Sequence, residues 1–371
     1  MGSPRRLDRV RRAAVAAGAV LAAVCGLVVG IPGTAHAEAS DCSVNSTPAF
    51  SETINGTPGD DIISCVRGVN PGTTINAGAG NDDILVLSET HDPSDPGQPA
   101  NRGVINAGSG DDTIRVFAGD QPDVATGTGV IGNDGTINGG TGNDSIRVTG
   151  GRGHEGRSHE IRAGGRGGEG NNRVIDGGGG NNTITVIGGE GGTGGLNSDG
   201  GPGGVANDGD IIAAGSITVT GGPGGNAGRT QFGDSPDSDG GEGGIGNDAR
   251  IQTRLLSGLT NQITVTGGNA GFGRSTGEGG NGGDANNDTI NVTGTVTLQG
   301  GTGGDTTETG SEGGNGGIGN DGPLTVVGLG STSTGGDGGA GHPGGNGGRG
   351  NDSTIIGLVT VTDGNPGPTL P

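Results

Sequence analysis

One short phrase, written five times, limits what this chain can fold into. Its clearest copy is Thr-Ile-Asn-Gly-Gly-Thr-Gly-Asn-Asp-Ser-Ile-Arg-Val at 136–148: a β-branched run, a glycine turn closed by Asn143-Asp144, and a second β-branched run. Near-copies stand at 74–86, 104–116 and 174–186, with a looser one from Thr53. The leading isoleucines Ile54, Ile75, Ile105 and Ile137 are 21, 30 and 32 residues apart. From Gly164 a second phrase becomes regular, a glycine-rich tract of the type GG-x-GG closing on Asn-Asp or Asn-Asn, with starts at 164, 200, 240, 279, 313 and 344. Each copy leads into a β-run, such as Ser-Ile-Thr-Val-Thr at 216–220, and then into more glycine. A unit this small cannot bury its own apolar face, so self-similarity of this kind predicts a stack of units.

One rung therefore reads as turn, short strand, turn, short strand, long glycine segment. Within a strand Ile217 and Val219 take one face while Thr218 and Thr220 take the other. Stacking in parallel turns the aliphatic face into a continuous column. The expected fold is all-β, a parallel β-solenoid (β-roll or β-helix) of roughly nine or ten irregular rungs with long Gly-rich loops. Helix is not expected after residue 37, because glycine is everywhere and no apolar stripe of period 3.6 occurs.

Composition agrees with a thin core. The 96 Gly and 17 Pro would signal disorder if they were aperiodic. Only 27% of residues are apolar, with no Trp, no Tyr and four Phe, which leaves too little for a conventional globular core of this length. All 19 basic residues are Arg and the net charge is −21. That balance argues against nucleic-acid binding, which needs a positive surface, and favours solubility and attraction of cations.

Residues 1–37 have the pattern of an export signal. Arg5, Arg6, Arg9, Arg11 and Arg12 precede an apolar stretch from Ala13 to Ile31, and Ala35-His36-Ala37 is a small-residue cleavage site. A membrane anchor is the competing reading. The stretch is about long enough to span, but it is rich in Ala and Gly and meets the cleavage pattern at once. Sec and twin-arginine export both remain open. Cleavage removes five Arg and Asp8, leaving a mature charge of −25, and removes Cys25. The two remaining cysteines, Cys42 and Cys65, are 23 residues apart and in an exported chain read as one disulfide stapling an N-terminal cap at 38–68.

The turns carry the chemistry. In Gly-Asn-Asp-Ser-Ile at 142–146 one residue separates Asp from Ile; in Gly-Asn-Asp-Gly-Thr-Ile at 132–137 two do. Because strand side chains alternate, the two versions belong to different corners of a rung. Glycine supplies the turn conformation, and the acid has two readings. Asn-Asp pairs cap turns through side-chain-to-backbone hydrogen bonds. Alternatively, the carboxylates and exposed carbonyls supply the six to eight oxygens that Ca²⁺ takes.

The turns Ala-Gly-Ala-Gly-Asn-Asp-Asp-Ile-Leu at 77–85, Ala-Gly-Ser-Gly-Asp-Asp-Thr-Ile-Arg at 107–115 and Gly-Gly-Thr-Gly-Asn-Asp-Ser-Ile-Arg at 139–147 resemble the RTX, or haemolysin-type, calcium-binding repeat G-G-x-G-x-D-x-U-x. The turn at 56–64 matches in part. The resemblance implies Ca²⁺ held between successive turns by Asp61, Asp82, Asp112 and Asp144, with the turn glycines Gly78, Gly80, Gly108, Gly110, Gly140 and Gly142 exposing carbonyls. In the fifth copy Asn182 stands at the acid's position. RTX repeats run in tandem every nine residues, whereas these copies are 21 to 38 apart, and the later turns with Asp208, Asp248, Asp321 and Asp352 fit the consensus less well. The GG-x-GG tracts are similar to the glycine-rich surface proteins of the PE-PGRS type, without a PE-like helical domain. On this reading 69–190 holds RTX-like repeats and 191–371 a GGxGG/ND repeat solenoid.

Other motifs carry less. His154 and His159 are five apart rather than the four of H-E-x-x-H, and sit among glycines. A P-loop needs a Lys, and the chain has none. Paired acids such as Asp82-Asp83 suit glycosidase chemistry, but only Phe50, Phe117, Phe232 and Phe272 are available as sugar platforms. The expectation is a non-enzymatic, secreted or cell-surface, calcium-binding solenoid whose partners are calcium ions and surface or extracellular-matrix components, with no membrane span after cleavage. A metal-free structural or adhesive protein is the main alternative. Below it stand a polysaccharide-acting β-helix enzyme and an ice-binding solenoid, the last suggested by Thr-x-Thr runs at 218/220, 264/266, 295/297 and 360/362.

Overall fold

The computed structural model describes residues 40–370 except 89–96, 121–126, 158, 230–236, 257, 259 and 307–309. The export signal expected at 1–37 lies outside the described residues. No helix occurs among those described, and so none long and apolar enough to cross a membrane.

Among the described residues the chain winds through ten rungs, each giving a short stretch to each of two parallel sheets. Rung 1 contributes Thr53–Asn55 to the first sheet and Ile62–Cys65 to the second. Rung 2 contributes Thr74–Ala79 and Asp83–Leu87, and rung 4 Thr136–Thr141 and Ser145–Thr149. In rung 8 a single strand, Ile290–Gln299, serves both sheets. The last rung has Ile355–Ile356 and Val359–Thr362.

Register follows from alternation. In the first sheet Ile54, Ile75, Ile105, Ile137, Ile175 and Ile211 stand directly above one another, continuing through Ile251, Ile290 and Leu324 to Ile355. In the second, Ile63, Ile84, Ile114, Ile146, Ile184, Ile217 and Ile263 form one inward column, and Val86 to Val265 form its neighbour. All of these side chains except Ile355, half-buried at the end of the stack, are fully buried. A slip of one residue would turn every one of them to solvent, so the pairing is strongly specified. Each of rungs 2–8 thus buries at least three aliphatic side chains, worth about 1.5–3 kcal/mol apiece. Near the end the second-sheet column changes to Ser331 and Ser333, buried and hydrogen-bonded to backbone.

The two turn types fall at different corners, as their spacing predicts. Gly-Asn-Asp-Ser-Ile lies between the sheets of one rung. The other type lies where the glycine tract enters the first sheet, and there the asparagine points inward. Asn101, Asn133, Asn171, Asn207, Asn247, Asn286 and Asn320 are fully buried. Each Nδ2 donates to the Oδ1 of the next at 2.7–2.8 Å, ending on Asn351. Most donate their second hydrogen to a carbonyl two residues on. An amide ladder paired at every step in a low-dielectric interior is strongly held.

The glycine segments are ordered and do more than connect. Leaving the second sheet, residues 188–195 run outward; residues 200–206 run back into the next rung. Every third residue (Glu190, Thr193, Pro202) faces out while the glycines between are buried or nearly so. A period of three with the two inner positions open only to glycine fits an extended segment of three residues per turn. Hydrogen bonds tie these tracts in two directions. The first Gly of each triplet donates to the same layer of the next rung, as from Gly188 to Thr220 and Gly191 to Pro223. The second donates across to the opposite layer, as Gly189 to Gly168, Gly204 to Gly189 and Gly222 to Gly204. At many of the outward positions an Asx side chain accepts the third amide: Asn281 caps Asn315, and Asn315 caps Asn346. The backbone donors in such triplets are thereby all paired.

The N-terminal end is closed differently. Cys42–Val44 pairs antiparallel with Ile62–Cys65, and Cys42 and Cys65 form a disulfide, as their spacing suggested. A crosslink closing a loop of this length stabilises by about 3 kcal/mol, mainly through the unfolded state. Because rungs contact only their neighbours, the Cys42→Ser/Cys65→Ser variant is expected to open residues 40–65 to limited proteolysis while rungs 4–10 stay protected. Mass spectrometry of the cleavage fragments reads this directly.

Candidate functional site

The turn between the two sheets of rungs 1–5 brings the expected site residues together. Gly78, Gly80, Gly108, Gly110, Gly140 and Gly142 all have φ between 106° and 131°, which L-residues with a side chain rarely adopt. They also stack: a Cβ on Gly108 would lie 1.9 Å from the carbonyl oxygen of Gly78. Asp61, Asp82, Asp112 and Asp144 form one column, each 1% exposed, so the acids line the inside of the turn. Their position two residues before a buried isoleucine puts them on the aliphatic face.

Each inner acid after Asp61 caps the rung before it. The Oδ1 atoms of Asp82, Asp112 and Asp144 accept the backbone N–H of Asp61, Asp82 and Asp112 at 2.8–3.0 Å, and Asn182 does the same for Asp144 at 2.9 Å. An outer column runs beside it with the opposite sense. Asp60 accepts from the amide of Asn81, Asn81 from Asp111, Asp111 from Asn143 and Asn143 from Asn181. Two adjacent amides of every turn are thereby tied to neighbouring rungs in opposite directions.

The second carboxylate oxygens differ. Asp61 Oδ2 accepts the amide of Thr57 at 2.5 Å, and Asn45 Nδ2 donates to its Oδ1. The Thr57 amide, opposed by burial and helped by the Asn45 and Thr57 side chains, holds this carboxyl below the ordinary range. The Oδ2 atoms of Asp82, Asp112 and Asp144 are buried without a hydrogen-bond partner. Burial pushes all three carboxyls up, with the neighbouring acids adding to it; Asp112, between Asp82 and Asp144, rises to about 6. An unpaired carboxylate at such a place is costly, so a proton or a cation is favoured there.

In kind, this donor set suits a hard cation: carboxylate oxygens, free, and repeated at the rung spacing of about 4.8 Å. In number, a pair of rungs offers two such oxygens where Ca²⁺ takes six to eight, so carbonyls and water must supply the remainder. Among the described residues no three Asp, Glu, His or Cys side chains converge as a ready metal centre. Gly139 also crowds the column, since a Cβ there would lie 2.6 Å from Asp144 Oδ2.

The later turns depart from this pattern. At Asp208, Asp248, Asp321 and Asp352 the acid faces out while the preceding asparagine is turned into the ladder. The parity was readable: Asn133 is four residues from Ile137 and shares its face, whereas Asp134 is three away and does not. Though they face out, Asp208 and Asp248 are partly desolvated, which raises their carboxyls, and nearby acids add to the effect at Asp248. The paired acids Asp82 and Asp83 point to opposite faces, Asp83 outward to a bond with Arg115, so they do not flank a common cleft. Two surface hollows, about 270 and 370 Å³, lie elsewhere, against Thr128–Val130 and against Thr73–Thr74.

No family model matches the chain, and no curated protein matches it. Among solved structures, the chain is similar to an antifreeze protein of the springtail Granisotoma rainieri, a bundle of nine polyproline type II helices. The identity is 22% over 59% of this chain and 94% of that one, with a TM-score of 0.13.

Proposed function

We propose that this protein is an exported structural scaffold, a stiff acidic solenoid acting through its repetitive faces at or outside the cell surface, with calcium as the ion that neutralises its turn carboxylates. The observation that supports the calcium reading is the run of three successive buried acids, Asp82, Asp112 and Asp144, each with one oxygen capping an amide and the other without a partner. Export is supported by the leader pattern at 1–37 and by the Cys42–Cys65 disulfide, a bond that persists in oxidising compartments. A structural rather than catalytic role is supported by the use of the inner acids as backbone caps.

Thermal unfolding of the mature chain at pH 7.5, in millimolar calcium and in EDTA, tests this. One site occupied at 100 times its dissociation constant stabilises by about 2.7 kcal/mol. Calcium is therefore expected to raise the midpoint, and the Asp82→Asn/Asp112→Asn/Asp144→Asn variant is expected to lose the response. Equal midpoints in the two buffers would leave a metal-free scaffold in which the acids serve only as turn caps.

A further inference from the structure

We propose that the outward face of the second sheet over rungs 5–10 is an ice-binding surface. Parallel, in-register pairing sets Thr185, Thr218, Thr264, Thr297, Thr332 and Thr360 in one uninterrupted column. Two residues along each strand runs a second column, Ile187, Thr220, Thr266, Gln299, Thr334 and Thr362. Threonines therefore repeat at about 4.8 Å from rung to rung and about 6.6 Å along each strand. The inward residues between them, Ile217, Val219, Ile263 and Val265 among others, are fully buried and hold the strands in place.

Strand propensity does not account for these columns. Threonine suits any strand, yet the first sheet meets the same demand in the same rungs with Asp176, Ile212, Gln252, Asn291, Thr325 and Ile356 at its in-register outward positions. The threonine array is a property of one face. Charge distribution sets the face apart again. The chain carries 19 Arg and 40 acids, but none falls in either column from rung 5 onward. In rungs 3 and 4 the first column instead holds Arg115 and Arg147.

A surface that repeats in two directions, is uncharged, and offers a methyl and a hydroxyl at every point but Ile187 and Gln299 complements a neutral surface that is itself periodic. Crystalline polysaccharide would call for aromatic platforms, and the array has none. Ordered water meets the description: its oxygens accept from and donate to hydroxyls, its lattice tolerates methyls in its hollows, and it is neutral. The stiffness of the stacked rungs keeps the hydroxyls pre-ordered, so little entropy is lost on contact. This inference does not depend on the aspartate column, and it is tested both in calcium and in EDTA.

Thermal hysteresis and partition into a growing ice front are measured for the mature chain, for Thr218→Lys/Thr264→Lys on the array, and for Gln252→Lys/Thr325→Lys on the opposite sheet. The expected result is hysteresis and ice uptake by the wild type, loss of at least tenfold in the array variant, and retention in the opposite-sheet variant, with equal melting midpoints. Thr297→Lys serves as a second array variant if the double one unfolds. Absence of both hysteresis and ice uptake in the folded wild type would overturn the inference, as would equal losses from the two faces.

Discussion

Replacing Gly222 by alanine is expected to break the glycine half of the molecule, whereas Pro223→Ala, one residue along, is expected to leave its stability unchanged. Gly222 occupies the position at which the outgoing and returning layers meet. It donates to the carbonyl of Gly204 and accepts from the amide of Gly244, both at 2.7–2.8 Å. A Cβ placed on it would sit 1.8 Å from the carbonyl oxygen of Gly189 and 2.9 Å from the Gly204 nitrogen. Those obstacles are backbone, so no rotamer change relieves them, and the layers must separate. Overpacking an ordinary core costs about 1–3 kcal/mol because side chains give way. Here the transverse hydrogen bonds are lost as well, each leaving a buried donor or acceptor at about 1–3 kcal/mol. A loss of at least about 4 kcal/mol follows, seen as a lower and broader melting transition, since a solenoid cut at one interface unfolds as two blocks. Pro223 faces solvent and contributes only a carbonyl to the network, which alanine retains. Equal melting curves for the two variants would mean that the layers do not touch as described.

The contrast between Gly222 and Pro223 marks where the sequence could be read and where it could not. The rungs were legible because Ile and Val alternate with polar residues, and a period of two admits one pairing register. The GG-x period was equally visible, but its meaning was not. A period of three in glycine is compatible with a flexible loop, and only the hydrogen bonds between distant tracts turn it into two packed layers. The ND turns show a second limit. Composition drew attention to aspartate, yet counting residues to the nearest buried isoleucine assigns the inside of the later corners to asparagine. Gly132 and Gly142 both precede Asn-Asp, but Asp144 is buried and Asp134 is not. Parity separates them, and motif resemblance alone does not. The disulfide was legible from two cysteines behind a leader pattern of the export type; the antiparallel strand that it anchors was not, because Cys42–Val44 is too short to carry a pattern.

In EDTA, Asp112→Asn is expected to raise the melting midpoint at pH 7.5 and to raise it much less at pH 4.5. Asp112 titrates at about 6 in the folded chain, against an ordinary value of 3.8. The folded state therefore holds this proton more tightly than the unfolded one. The stabilisation is fully present below about pH 4 and is lost as pH rises through about 6. The difference corresponds to about 3 kcal/mol at most. Asp82 and Asp144 are shifted the same way, so the wild type should melt higher at pH 4.5 than at pH 7.5 as far as this column governs its stability. Asparagine keeps the acceptor that caps the Asp82 amide and removes the charge. The chain already contains this solution: Asn182 caps Asp144 at 2.9 Å with its amide turned toward the Gly180 carbonyl. In the variant, the slope of midpoint against pH between 4.5 and 7 should flatten by the share that Asp112 contributes, and the effect of added calcium should shrink with it. A variant less stable than wild type at pH 7.5 in EDTA would show that a hydrogen bond pairs the carboxylate more strongly than burial opposes it.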